Sequence, residues 1–225
     1  MYDILTGPLL WISAAICVIG LGYRVFWYIN GLSWQLDRVA YSAHFGRGMK
    51  GALLSIAAWL VPFGSRNWRV KPGFMVLFFG FHAGLVCVPL FLQGHAVMLG
   101  QGLGIHWPAM PMWLADWLTG IMLFSACCII ARRILLPEVR IITDIKDWLV
   151  LAITIAPFLT GFVAAHTEGE TARTWLMAHI ATGELMLVAI PFTKLYHVVG
   201  FFLSRGQLGM DFGIKRGGSK KNFAW

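Results

Sequence analysis

Two apolar stretches of the 225-residue chain carry two histidines each: His82 and His95 within Phe74 to Leu99, and His179 and His197 within Trp175 to Leu203. Polar side chains in such stretches are rare and usually functional, and neutral imidazole is a strong ligand for iron. His179 and His197 are eighteen residues apart, about five turns, which predicts both rings on one helix face roughly 27 Å apart along the axis. That is about the depth of a bilayer core. His82 and His95 are thirteen apart, about 19 Å of rise but about 1300° of turn, so they leave different faces of a straight helix. Pro89 lies between them and is expected to bend that helix. A helix-to-helix hydrogen bond accounts for a single histidine in such a run; four on two runs point to a shared ligand. Two axial imidazoles fill both open positions of a haem and favour one-electron transfer over oxygen chemistry.

The elements that must hold these residues are membrane helices. Apolar side chains make up 58% of the chain and charged ones only 12%, well above the apolar share of a soluble domain. Apolar runs at about 5–29, 74–99, 113–136, 148–165 and 175–203 predict an all-α, integral membrane bundle of five transmembrane helices in one domain. The first run follows Asp3, without a basic stretch or a small-residue cleavage site, and is expected to be a retained helix. Seven cations lie between Arg24 and Lys71, four between Arg132 and Lys146, and six between Lys194 and Lys221; only Arg173 falls in an alternate loop. Cationic loops stay cytoplasmic, so the N-terminus is expected outside and the C-terminus in the cytoplasm. The net charge of +8 reflects this sidedness and the anionic leaflet it faces, and so gives no support for nucleic acid. With the second helix running outward and the fifth inward, His82 and His197 match in depth near the cytoplasmic face, and His95 and His179 near the outer one.

Other residues take places around these four. Gly80, Gly84 and Gly94 surround the second-helix histidines and would let a flat macrocycle approach the backbone; Gly183 lies one turn from His179. Lys194, one turn from His197, is placed to meet a haem propionate. Glu184, inside the fifth run, is expected to bond a neighbouring helix or to serve in proton release. His166 at the outer interface, with Glu168 and Glu170, reads either as a plain interfacial group or as a proton exit. Residues 30–72 read as a cytoplasmic interfacial segment. Within it Ala52 to Phe63 is too short to span and has basic flanks, the pattern of an extra helix on the cytoplasmic-side membrane surface or against a partner. Residues 206–225 read as a basic cytoplasmic tail. Cys17, Cys87, Cys127 and Cys128 form no Cys-x-x-Cys pattern, so iron–sulfur ligation, c-type haem and a disulfide framework have no support.

The fifth run, with His179, Gly183, Pro191-Phe192-Thr193-Lys194-Leu195 and His197, resembles the last helix of the cytochrome b (gamma) subunits of respiratory nitrate reductases. The turn with Arg132, Arg133, Pro137, Val139, Arg140 and Asp147 is similar to that family's cytoplasmic loop, and Phe81-His82 with Gly94-His95 to its second helix. Within the family, the compact length and basic tail look most like the subunit of the high-molecular-weight cytochrome c transmembrane complex of sulfate-reducing bacteria. The resemblance implies two b haems, one held by His82 and His197 and one by His95 and His179, with Arg132 and Arg133 joining Lys194 and the glycines in the cofactor-binding set. It implies as partners other membrane subunits, a periplasmic multihaem cytochrome c and a cytoplasmic iron–sulfur protein. Relatives place a cation near bound quinol in the outer loop; this loop has none, and His106, His166 and Asp116 stand as substitutes at a menaquinone site. Two functions remain: an electron-transfer subunit with two bis-histidine haems, and a haem-free anchor and assembly scaffold.

Overall fold

A computed structural model describes residues 2–32 and 41–215; Arg38 and residues 216–225 of the expected tail lie outside the described residues. The described residues are almost entirely helical, with no strand among them. In chain order the helices are α1 (Tyr2–Leu32), α2 (Phe45–Leu60), α3 (Arg66–Val70), α4 (Pro72–Phe91), α5 (Gln93–Leu103), α6 (Met112–Leu135), α7 (Pro137–Arg140), α8 (Ile145–Ala165), α9 (Gly169–Phe192) and α10 (His197–Lys215). Of these, α1, α4, α6, α8 and α9 are long and apolar enough to cross a membrane, as a multi-pass membrane protein requires. The chain divides into two compact units, Val76–Met186 with Met1–Thr6, and Gly7–Met75 with Leu187–Trp225.

In the first unit the core is Phe81, Val88, Met122, Ala126 and Phe158, with Leu85, Leu118 and Ile155 packed around it. Lipid does not drive helices together as water does, so close backbone approach must supply the contact. Gly84 provides it: a Cβ there would lie 2.5 Å from the Leu118 carbonyl and 2.6 Å from Met122 Cβ. Gly80 sits one turn earlier against Ile121 and Ser125. Thr119, Thr154, Thr160 and Thr182 each return their hydroxyl to the carbonyl four residues back, which satisfies them without water. At the other end of α6, Arg133 reaches Thr143 at 3.1 Å and Asp147 at 4.0 Å. Asp144 and Asp147 form a reciprocal capping box that starts α8.

The expected single helix over 74–99 is two helices. Leu92 leaves the helical region (φ −62°, ψ 132°) three residues after Pro89 and ends α4. A break in an apolar run strands carbonyls that lipid cannot satisfy. Here three consecutive ones are met by three different donors: Pro89 O by His95 Nδ1 at 3.1 Å, Leu90 O by Trp107 Nε1 at 2.6 Å, and Phe91 O by the Met110 amide at 2.7 Å. The bend expected at Pro89 is therefore a full break, held by its own set of hydrogen bonds.

In the second unit α2 packs along α10. Gly48, Gly51, Ala52 and Ser55 are buried on one face of α2, facing Gly209, Met210, Gly213 and Ile214. Tyr41 and Tyr28 donate their hydroxyls to Asp211 and Gln207 of α10. Trp68, 2% exposed, donates Nε1 to the Trp59 carbonyl and packs edge-on to its ring. Two expectations are corrected by this pair. The helix expected over 52–63 runs Phe45–Leu60, because the glycines that dilute the apolar pattern before Ala52 are the packing face itself. Residues 206–215 are helix rather than tail: their glycines have low helix propensity but permit the contact with α2.

The expected single helix over 175–203 is also two. α9 ends at Phe192, Thr193 is extended (φ −119°, ψ −175°), and one 3-10 turn, Lys194–Tyr196, leads into α10. Pro191 ends the ladder and Thr193 caps the new turn, accepting from the Leu195 amide at 3.2 Å. The continuous helix on which the eighteen-residue spacing was read does not exist.

Candidate redox-group site

All four histidines of the two apolar runs share one chemical state. His82 Nδ1 pairs with Phe78 O at 2.8 Å, His95 Nδ1 with Pro89 O at 3.1 Å, His179 Nδ1 with Pro157 O at 2.7 Å, and His197 Nδ1 with Lys194 O at 2.9 Å. A carbonyl only accepts, so Nδ1 carries the proton in each neutral ring and Nε2 carries the lone pair. A metal-binding histidine is oriented in this way, its second nitrogen donating to a backbone carbonyl. His166 makes the same bond to Phe162 O at 2.8 Å, so the state alone does not select ligands.

Geometry does so for one pair. In the first unit the rings of His95 (α5) and His179 (α9) lie parallel within 5°, with centroids 5.8 Å apart. Rings in direct offset-stacked contact have centroids about 4.5–7 Å apart. Two imidazoles trans on one metal, each with its nitrogen about 2 Å from it, have ring centres roughly 6 Å apart. The observed separation fits both arrangements. Among the described residues no three His, Cys, Asp or Glu side chains gather as a metal cage. Both rings are half-buried. Gly94 and Gly183, beside them in sequence, have open space where a Cβ would stand.

The two helices reach this arrangement by different means. His95 belongs to the helix that restarts after Leu92, and its own hydrogen bond helps to close that break. His179 reaches across to α8, where Gly161 leaves room: a Cβ there would lie 2.7 Å from His179 Nδ1. Thr160 and Thr182 meet at 3.3 Å one turn away. The helix itself was expected over 148–165, but the part that its Pro157 and Gly161 take beside His179 was not anticipated from sequence. The only trace they leave there is a proline and a glycine four residues apart in an apolar run.

His82 lies in the first unit, its ring 4.1 Å from that of Phe78 and 5.4 Å from that of Phe81. His197 lies in the second unit at the start of α10, exposed, with Lys194 supplying the carbonyl for its Nδ1. Lys194 itself is exposed in the 3-10 turn. Gly80 and Gly84 face α6, so the close approach they permit is to a helix and not to an open cradle. Arg133 is engaged with Thr143 and Asp147, a structural role at the α6–α8 connection, and Arg132 is half-buried beside it.

Of the remaining candidates, Asp116 and His166 are brought together, with Oδ2 and Nε2 3.6 Å apart. Asp116 also lines an open groove of about 480 Å³ with Trp113, Trp117, Ile121, Phe124 and Phe162. His106 is exposed and stands apart from them, its ring against the backbone of Gly100. Glu184, 6% exposed, has Oε1 buried without a hydrogen-bond partner.

No family model matches the chain. A protein of Nitratidesulfovibrio vulgaris (strain Hildenborough), carried under the name "Protein", is 54% identical over 227 residues, covering the whole of both chains.

Proposed function

The chain belongs to one family with that Nitratidesulfovibrio vulgaris protein, and we propose that it is the membrane cytochrome b subunit of a respiratory redox complex. In this role it carries electrons across a bacterial inner membrane between periplasmic cytochrome c or menaquinone and a cytoplasmic iron–sulfur subunit. What supports this most is the His95–His179 pair: parallel rings at 5.8 Å, each with Nδ1 committed to a carbonyl and Nε2 left to bind a metal. Haem between two imidazoles supplies one-electron chemistry. His95 and His179 would hold one haem; the sequence assigns a second to His82 and His197. Pro89 O and Pro157 O fix the orientation of the first pair, and Gly161 gives His179 its room.

The basic loops orient the chain with its N-terminus outside. That puts α2 on the cytoplasmic side as the extra helix, presenting exposed Phe45, Met49, Leu53 and Leu60 beside Arg47 and Lys50 to the anionic leaflet. Asp116 and His166 then stand at the outer end, where quinol oxidation releases protons. The protein purified from its native membrane should show the absorbance bands of reduced b haem on addition of dithionite, at about two haems per chain. A spectrum without haem bands would leave the chain a haem-free anchor for the complex.

A further inference from the structure

The turn between α2 and α3, in the second unit, holds Phe63, the one described residue other than glycine with a positive φ (59°). A bulky side chain in the left-handed region is a genuine outlier, and it persists only where its surroundings over-determine it. They do so here. The Phe63 amide donates to Met75 Sδ at 3.2 Å, and Arg69 Nη1 donates to the carbonyls of Phe63 at 2.9 Å and Gly64 at 3.0 Å. Gly64 lets the turn close on α2, since a Cβ there would lie 2.6 Å from the Ala58 carbonyl oxygen. Behind the turn, Trp68 is buried against the rings of Trp59 and Phe74.

The strained turn directs an apolar tip outward. Phe63 is 56% exposed, beside exposed Leu60, Val61 and Val70. Its contact with Met75 sets its depth, because Met75 stands in the first turn of the spanning helix α4. Phe63 is therefore level with the point where that helix enters the bilayer. Arg66, Arg69 and Lys71, all exposed, surround the tip, and no acidic residue occurs in the sequence between Asp37 and Asp116. Apolar side chains ringed by cations at this depth match the boundary of an anionic leaflet, with the tip among acyl chains and the cations level with the phosphates.

We infer that residues 60–71 form a preformed lipid clamp that seats Phe63 in the acyl region and holds anionic phospholipid headgroups with Arg66, Arg69 and Lys71, fixing the α2–α3 segment to the membrane. The leaflet concerned, the cytoplasmic one, rests on the sidedness given under the proposed function; the haems play no part. An acidic protein surface could meet the same cations, but the tip lies at the level of α4's first turn, where acyl chains are the neighbours. Because the turn is already held by Arg69 and Met75, little ordering accompanies the contact.

The test uses the full chain in nanodiscs of equal phosphatidylglycerol and phosphatidylcholine, with the photo-crosslinker p-benzoylphenylalanine placed at position 63 and the adducts identified by mass spectrometry. The expected adducts are phospholipids, mostly phosphatidylglycerol. Arg66→Gln with Lys71→Gln should lower the phosphatidylglycerol share by about fivefold for each cation removed. Arg69 is left in place because it also holds the turn. Phe63→Gly relieves the backbone, so its thermal midpoint in neutral detergent should hold or rise while residues 60–71 lose protection from hydrogen exchange in the nanodisc. Adducts to protein, no adducts, equal shares of the two lipids, or unchanged protection in Phe63→Gly would each overturn the clamp. The haem spectrum of the same sample is read separately: its absence would overturn the proposed electron transfer and leave the clamp standing.

Discussion

Replacing His179 with alanine is expected to remove one haem of two, so that haem per chain falls by about half while the remaining haem keeps its bis-histidine spectrum. His95→Ala should give the same loss, and the double variant should lose no more than either single one, because both changes abolish a single site. Grossly non-additive effects are the mark of residues that act as a unit. The expectation follows from the parallel rings at 5.8 Å and from their identical tautomers. Removing His179 also leaves the Pro157 carbonyl without that donor and opens space against Gly161. Free imidazole added to the alanine variant should enter that space and restore part of the lost absorbance. Full haem content in His179→Ala, or additive losses in the double variant, would show that the two rings do not share a ligand.

Gly209→Leu is expected to separate α2 from α10. A Cβ at 209 would lie 2.6 Å from the Ala52 Cα, and the opposing atoms are backbone that cannot rotate away. Overpacking costs typically about 1–3 kcal/mol where side chains can give; with backbone on the far side the loss should be about 3 kcal/mol or more. Hydrogen exchange read by mass spectrometry should show α2 and α10 losing protection in this variant, with a lowered thermal midpoint. Gly206→Ala is the control: it lies in the same helix with nothing within 4 Å of its Cβ position. Unchanged protection of α2 in Gly209→Leu would mean that the two helices are not held by this contact.

The five spanning helices were legible because a run of about twenty apolar residues has few other fates. The breaks were not. A hydropathy pattern averaged over a window runs straight through Leu92 and Thr193, and the donors that make the first break tolerable come from His95 and from Trp107 and Met110 in the following loop. Pro89 and Pro191 mark where a helix weakens, but a proline announces a bend or a break equally. The His95–His179 juxtaposition was legible from matched depth, even though it had been read from a fifth helix that is not continuous. His179 lies on the near side of that helix's break, so the correction at Thr193 leaves it where it was. Gly80 and Gly84 were misread for a general reason: small residues allow close approach without saying to what. The α2–α10 pair was missed for the converse one, since glycines within a basic segment look like loop.

The central claim is that the imidazoles of His95 and His179 grip one flat macrocycle through their Nε2 atoms. An electron cryomicroscopy map of the protein purified in its native lipid tests it directly. The account predicts a slab of density between the two rings, continuous with both Nε2 atoms and with its strongest peak midway between them. Rings separated only by lipid, water or another side chain, in a map that resolves their own outlines, would contradict it.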